Sequence, residues 1–590
     1  MNYLTSGTLA GLKRERRYND TRAAATAPMD TLNRVAPKSW TSWTARVLVT
    51  AIAGATLWFG VAKGTFAASD TDPFGYVSQG ELIARGALRI DLRYAWDLPW
   101  PAADLSLVPP GYTMSEPRGF AIPTYASGLP LVMAGLQRLT GRREAAFYAV
   151  PLLGALAVWM TAWLGARLNG PATGVAAAVL LATSPTFLQQ LTQPVSDVPA
   201  AAWWTASLAL ATATAWPAAL AAGLAASMAV LTRPNLVPIA ALIGLYLAWG
   251  VWRPTGGTRH QSLVRLLLFT LGVIPGCLAV AAINNVLFGS PLRSGYGSIG
   301  ELYEWAPVVP NLVRYPQWLL QTEGPLIFFV LAAPWIVRSS RSSTGSLAAP
   351  LPSARNERER GRQLLLSVAS VLFVLSAYLP WGVFEEWVYL RFLLPAFPLL
   401  IVSSLTVLDE IARKLSMPHR VVAVVMVAMT AGWTWWHVSA FATLVPVSAR
   451  DNERRYLDVS HYVAMAMSPQ SAFIAGLHSG SLRYHAGRTT LNYRRMQEGT
   501  LDAALAGLAA RGYKPYIALE EGEEPHFRER FGPSDRFGAL DWPPALNTSE
   551  GVPVHIYDPA DREAFLRGVP IGTVDMLFRG KPKVTVRGQP

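Results

Sequence analysis

Cysteine is nearly absent, with Cys277 the only one in 590 residues. An intramolecular disulfide and a thiolate metal cluster are therefore both excluded, and any exported part must fold without covalent staples. Charge is scarce as well. Asp, Glu, Lys and Arg supply 15% of the chain, against about 25% in an ordinary soluble domain. Hydrophobic residues reach 51% and mean hydropathy is +0.26. The charge deficit falls in long apolar runs, which marks a polytopic membrane protein. The sequence also lacks a metal-spaced histidine cluster, a Gly-rich phosphate loop, a nucleophile elbow and internal repeats, so the usual soluble-enzyme signatures are excluded. The charge that is present leans basic, 51 Lys and Arg against 38 Asp and Glu. The basic residues gather at certain ends of the apolar runs and so read as a topology signal, with no nucleic-acid partner implied.

Eleven runs are candidate spans: 46–66, 145–167, 171–190, 198–215, 217–232, 236–252, 264–286, 324–338, 363–381, 389–408 and 420–444. Residues 1–45 form a polar, basic segment carrying Lys13, Arg14, Arg16 and Arg17, and the first span reads as an uncleaved anchor. Arg253, Arg259 and Arg265 fall in one short loop. Arg338, Arg341, Arg355, Arg358, Arg360 and Arg362 fall in a second, biased linker at 339–362, and Arg413, Lys414 and Arg420 in a third. Eleven crossings put all of these on the inside and the C-terminus outside. The run "FAIPTYASGLPLVMAGLQRL", 120–139, is decisive for this scheme. It is interrupted by Pro123, Gly128 and Pro130 and reads as a juxtamembrane helix in the outside loop 67–144. If it crossed, the acids at 72 and 197 would lie on opposite faces. Residues 446–590 change character: short apolar runs alternate with helical pattern, as in a small α/β domain with a largely parallel sheet. The fold expected is thus a polytopic α-helical membrane bundle over 46–445, with interfacial helices in its first outside loop and a C-terminal extracytoplasmic domain.

The stretch "FAASDTDPFGYVSQGE", 66–81, places Asp70 and Asp72 at the exit of the first span, with Tyr76 four residues beyond. Such acids either cap the following helix or present a carboxylate where a lipid-borne substrate meets water, able to accept a proton from an attacking hydroxyl. "TQPVSDVPAAAWW", 192–204, offers the same two readings for Asp197. On the same face lie Arg233 and Asn235 in "LTRPN", Arg293 in "NNVLFGSPLRSGYG" and Arg391 in "EEWVYLRFLLPAFP". Each arginine either snorkels to headgroups or holds phosphate through its planar fork. His260, His419 and His437 read as structural.

In their order, "DPFGYVSQGELIARGAL" from Asp72, "PTYASGLPL" from Pro123, "SDVPAAAWW" from Ser196, "TRPN" from Thr232, "NNVLFGSPLRSGYG" from Asn284 and "YLRFLLPAFPLL" from Tyr389 resemble the membrane-embedded C-type glycosyltransferases. The likeness is to the bacterial protein O-mannosyltransferase-like and aminoarabinose-transferase-like group. It covers residues 44 to about 445 and extends more weakly into "HSGSLRYHAGR". It implies an outside active site in a bacterial-type plasma membrane and a polyprenyl-phosphate sugar donor. It further implies Asp72 as catalytic base, Asp197 as the acid opening the fourth span, and Arg391 as a phosphate ligand. Glu116, in "SEPRG", matches an acid some members use near the donor phosphate. The family commonly has Asp-Glu in this loop, whereas Pro73 follows Asp72 here, which leaves Asp70 a second candidate. Family members differ in metal dependence, so no cofactor is fixed; Asp72 with Asp197 or Glu116 could hold a divalent cation. The function expected is inverting transfer of a sugar to an acceptor hydroxyl on protein, lipid or polysaccharide. The alternatives are a lipid-glycan flippase and a non-catalytic scaffold.

Overall fold

The computed structural model describes residues 43–254, 258–336, 352–445, 449–548, 552–576 and 583–587. The basic cluster at 13–17, and Arg338 and Arg341 of the linker, lie outside them. Among the described residues seven helices are long and apolar enough to cross a membrane. These are Trp43–Lys63, Arg143–Asn169, Pro234–Trp252, Arg259–Phe288, Glu357–Tyr378, Trp387–Lys414 and Arg420–Leu444. Helices Pro171–Thr183 and Pro185–Leu191 meet at a 62° bend and make an eighth if taken as one broken span. Pro185 starts the second of these, and Ser184 caps it by accepting from the Phe187 amide at 3.3 Å. Three of the eleven expected spans are shorter than the ~20 residues a bilayer core requires. They are helix Asp197–Ala211 with 15 residues, helix Trp216–Thr232 with 17, and the 3-10 helix Pro325–Ala332 with 8. Leu267, Leu271, Ile274 and Leu278 stand exposed along helix Arg259–Phe288. An apolar surface of that length is stable only against lipid.

The 120–139 run is not among the helices long enough to cross. Its first residues form a strand, β3 (Phe120–Pro123), in a three-stranded antiparallel sheet with β1 (Ile90–Asp91) and β2 (Tyr112–Met114), in the order β1-β3-β2. The rest is the 13-residue helix Gly128–Thr140, about 20 Å long at 1.5 Å per residue. It packs on helix Asp72–Ala84.

After helix Ala449–Ala466 the chain builds a seven-stranded sheet. Its strands are β4 (Ser471–Ala475), β5 (Thr489–Asn492), β6 (Lys514–Glu520), β7 (Leu546–Thr548), β8 (Val554–Tyr557), β9 (Ile571–Met576) and β10 (Lys583–Arg587), in the order β10-β9-β7-β8-β6-β4-β5. The pairs β4–β5, β4–β6 and β7–β9 are parallel, while β6–β8, β7–β8 and β9–β10 are antiparallel. The sheet is therefore mixed, where a largely parallel one was expected. Strands β7 and β8 are separated by too few residues for a crossover, so they can pair only as a hairpin.

Helices Trp216–Thr232 and Arg259–Phe288 approach through small residues, as membrane helices do. A methyl on Gly272 would lie 2.7 Å from the Leu220 carbonyl oxygen, and one on Gly223 2.3 Å from that of Phe269. Ser227 Oγ donates to the Gly272 carbonyl at 2.7 Å and accepts from the Gly276 amide at 2.8 Å. Gly272→Val should force this seam apart at a cost of about 1–3 kcal/mol, read as a lowered Tm of the detergent-solubilised protein. Gly244→Ala, where a methyl meets open space, should leave Tm unchanged.

Candidate functional site

Two hydrogen bonds bring distant segments of the sequence to one place. The Thr65 amide donates to the Thr192 carbonyl at 3.0 Å, joining the exit of the first span to the turn before Asp197. Tyr76 Oη donates to Ser196 Oγ at 2.8 Å. Asp72 and Asp197 each stand at the first position of a helix, Asp72–Ala84 and Asp197–Ala211, where the positive end of the helix dipole favours an acid. Both carboxylates nevertheless point to side chains of other elements. Asp72 Oδ1 accepts from Tyr125 Oη, and Oδ2 from Arg391 Nη2 at 2.7 Å. Asp197 Oδ1 accepts from Arg233 Nη2.

These groups line a single cavity of about 790 Å³, together with Tyr76, Asn235, Asn284, Tyr296, Tyr303 and Trp381. Part of its wall is apolar, from Val230, Leu231, Cys277, Val280, Leu287 and Phe373. The two acid–arginine pairs differ. Asp197–Arg233 is sealed, with side chains 3% and 10% exposed. Arg233 also donates from Nη1 to Tyr378 Oη at 3.1 Å and to the Phe392 carbonyl at 3.2 Å. Asp72–Arg391 is half open, at 31% and 22%, and the buried Nε of Arg391 has no hydrogen-bond partner among the described residues. Tyr76 stacks on Tyr125 with ring centroids 4.6 Å apart. Burial, then the charge of Asp72, raises the Tyr125 phenol well above its ordinary range, so it remains a donor to that carboxylate. Tyr76 is raised for the same reasons.

Of the sequence candidates, Asp72, Asp197, Arg233, Asn235, Tyr76 and Arg391 meet in this cavity, whereas Asp70 and Glu116 are not among its lining residues. Asp70 is exposed and accepts from Thr71 Oγ1 at 3.0 Å. Glu116 is 82% exposed and lies 3.5 Å from Arg293, which the cavity also excludes. The arrangement does not fit a metal ion. Among the described residues no group of three or more His, Cys, Asp or Glu comes together as ligands, and each cavity acid is engaged by an arginine. Sequence reading missed Tyr125, Tyr378 and Trp381. Tyr125 lies inside the quoted "PTYASGLPL", but nothing local to a tyrosine announces a carboxylate partner 53 residues away.

No family model matches the chain, and no curated protein matches it. Solved structures that it resembles include ArnT from Cupriavidus metallidurans bound to undecaprenyl phosphate, at 14% identity and a TM-score of 0.46, covering 83% of this chain and 96% of that one. Another is the oligosaccharyltransferase AglB from Archaeoglobus fulgidus in complex with an inhibitory peptide and a dolichol-phosphate, at 11% and 0.46, covering 88% and 75%. A third is the mycobacterial arabinofuranosyltransferase AftD, at 16% and 0.40, covering 80% of this chain and 35% of that one. Likenesses this distant assign no function, which is left to the geometry of this chain.

Removing one partner of the sealed pair strands a buried charge. Asp197→Ala should destabilise the protein by about 3–5 kcal/mol, seen as a lower Tm and yield. Asp72→Asn, at the half-open pair, should leave both near wild type.

Proposed function

We propose that this protein is an inverting glycosyltransferase that moves a sugar from a polyprenyl-phosphate donor to an acceptor hydroxyl at the outer face of the membrane. The observation that carries the reading is the half-open Asp72–Arg391 pair, a carboxylate and an incompletely satisfied guanidinium facing one cavity whose wall is partly apolar. The prenyl chain lies along the apolar wall, near Cys277 and Val280. The phosphate takes the planar fork of Arg391, which suits a bidentate anion, and draws it from Asp72. The freed carboxylate, still oriented by Tyr125, accepts the proton of the acceptor hydroxyl. The hydroxyl oxygen bonds to the anomeric carbon from the side opposite the phosphate. The carbon–oxygen bond to phosphate breaks with its electron pair, and polyprenyl phosphate leaves stabilised by the guanidinium. No covalent enzyme intermediate is required, because the phosphate is already a good leaving group.

Asp197 is a positioning residue in this scheme. Its charge is spent on Arg233, whose three acceptors lock the cavity wall, so Arg233 holds structure and Arg391 holds phosphate. Trp381, Tyr296 and Phe392 offer ring faces for a sugar. The N-terminus inside and the C-terminal domain outside follow from the same orientation.

The test uses purified protein with radiolabelled undecaprenyl-phosphate mannose and undecaprenyl-phosphate arabinose as donors and a cell-envelope extract as acceptor. Asp72→Asn should lower transfer by about 10²–10⁴-fold, and Arg391→Gln should raise the donor KM as well as lower kcat. Turnover by Asp72→Asn at the wild-type rate would reject the reading. Movement of intact lipid-linked sugar across vesicles without transfer would replace it by transport.

A further inference from the structure

The segment "HSGSLRYHAGR", 478–488, supplies nothing to the cavity lining. It packs instead on the chain that delivers Asp72. That chain, 65–71, is buried at Thr65, Ala67, Ala68 and Ser69. Its backbone is left-handed at two non-glycine residues, Phe66 with φ 52° and Asp70 with φ 40°. Side chains with a Cβ rarely adopt this conformation, and it persists only where the surroundings enforce it. A buried loop must also find partners for its main-chain groups. Here the Ala68 amide donates to Nε2 of His485 at 2.9 Å, and Ser69 pairs with Glu453 through their side chains. Phe74, two residues past Asp72, lies on Gly480, where a methyl would sit 2.6 Å from its Cγ. The His485 ring stacks on Phe147 at 6.1 Å, and Phe147 meets Phe66 at 5.7 Å. Burial, then His461 and Arg143, pushes the His485 pKa down to about 3, so the imidazole is neutral and Nε2 is an acceptor.

We propose that the C-terminal domain clamps this loop and that His485 is a positioning residue, which sets the place of Asp72 without touching substrate. The inference rests on Asp72 acting as the base. The remainder of the segment reaches the chain beyond the loop. Arg483 Nη2 donates to the Leu107 carbonyl at 3.2 Å, and Tyr484 Oη donates to the Arg143 carbonyl at 3.4 Å while its ring lies edge-on to Phe147.

Hydrogen–deuterium exchange on the purified full-length protein tests the clamp at the Ala68 amide, in peptides spanning 64–74. Exchange should quicken at least tenfold in His485→Ala and stay near wild type in His485→Gln, whose amide oxygen can accept the same bond. In step, kcat with the undecaprenyl-phosphate donor should fall tenfold or more in His485→Ala while the donor KM stays within twofold, with His485→Gln recovering most of the loss. Unchanged exchange in His485→Ala overturns the clamp, and faster exchange with unchanged kcat overturns the positioning role. Exchange that quickens across the whole C-terminal domain in both variants marks general packing and overturns it too. The exchange measurement needs no turnover, so a wild-type protein inactive with these donors would count against the transferase reading and leave the clamp to be decided by exchange.

Discussion

A charge inside an apolar helical bundle must be neutralised where it stands, and the Asp197–Arg233 pair meets that demand by tying four elements together. The carboxylate begins helix Asp197–Ala211, and Arg233 follows helix Trp216–Thr232. The guanidinium also reaches Tyr378 at the end of one helix and the Phe392 carbonyl in the 3-10 turn Trp387–Ala396. Arg391 lies in that same 3-10 turn, next to Phe392. The sealed pair thus sets where the open pair stands. Because Arg233 donates to three acceptors at once, the cavity wall is held in one arrangement.

The open pair gains from the contrast. Were Arg391 as fully bonded as Arg233, an incoming phosphate would have to break several hydrogen bonds to reach it. Were Asp72 alone, a lone carboxylate beside an apolar wall would be costly to desolvate. One guanidinium bond and one phenol bond keep the carboxylate aimed, yet leave it replaceable as a partner for the arginine. The stacked Tyr76–Tyr125 pair adds a second support to Asp72, and Tyr76 in turn is pinned to Ser196 beside Asp197. The two acid sites are therefore mechanically linked through tyrosine and serine as well as through a shared cavity.

Much of this was legible in the sequence, for definite physical reasons. Asp72, Asp197, Arg233 and Arg391 stood out because ionisable residues at the ends of apolar runs are rare and need a cause. The interruption of 120–139 was readable from its prolines and glycine, although its first residues form strand β3, since four residues of strand have too little periodicity to reveal them. Asp70 and Glu116 stand apart from the cavity for one common reason: adjacency in sequence says nothing of direction. Asp70, held in a left-handed backbone, accepts from its neighbour Thr71. Glu116 lies on the exposed surface with Arg293. The count of eleven spans failed to appear as lengths because helices such as Asp197–Ala211, with 15 residues, fall short of the ~20 a bilayer core requires. In the C-terminal domain, β4 to β6 were visible as apolar runs, whereas β7 and β8, with three and four residues, were too short to separate from loop.

The scarcity of cysteine bears on how the outer domain is held. Without a disulfide, the join to the membrane bundle has to come from packing and hydrogen bonds, and the form it takes is informative. Arg483, Arg495 and Arg511 donate to the main-chain carbonyls of Leu107, Tyr112 and Asp97. Bonds to carbonyls recognise the path of a backbone and are indifferent to the side chains on it, so this interface fixes the shape of the 67–144 loop. Helix Asp72–Ala84 begins inside that shape, with Tyr112 against Phe74 at 6.4 Å and Tyr112 Oη within 3.0 Å of Ser78 Oγ. The C-terminal domain and the apolar bundle thus meet on the element whose first residue is Asp72, and contacts from both set its direction.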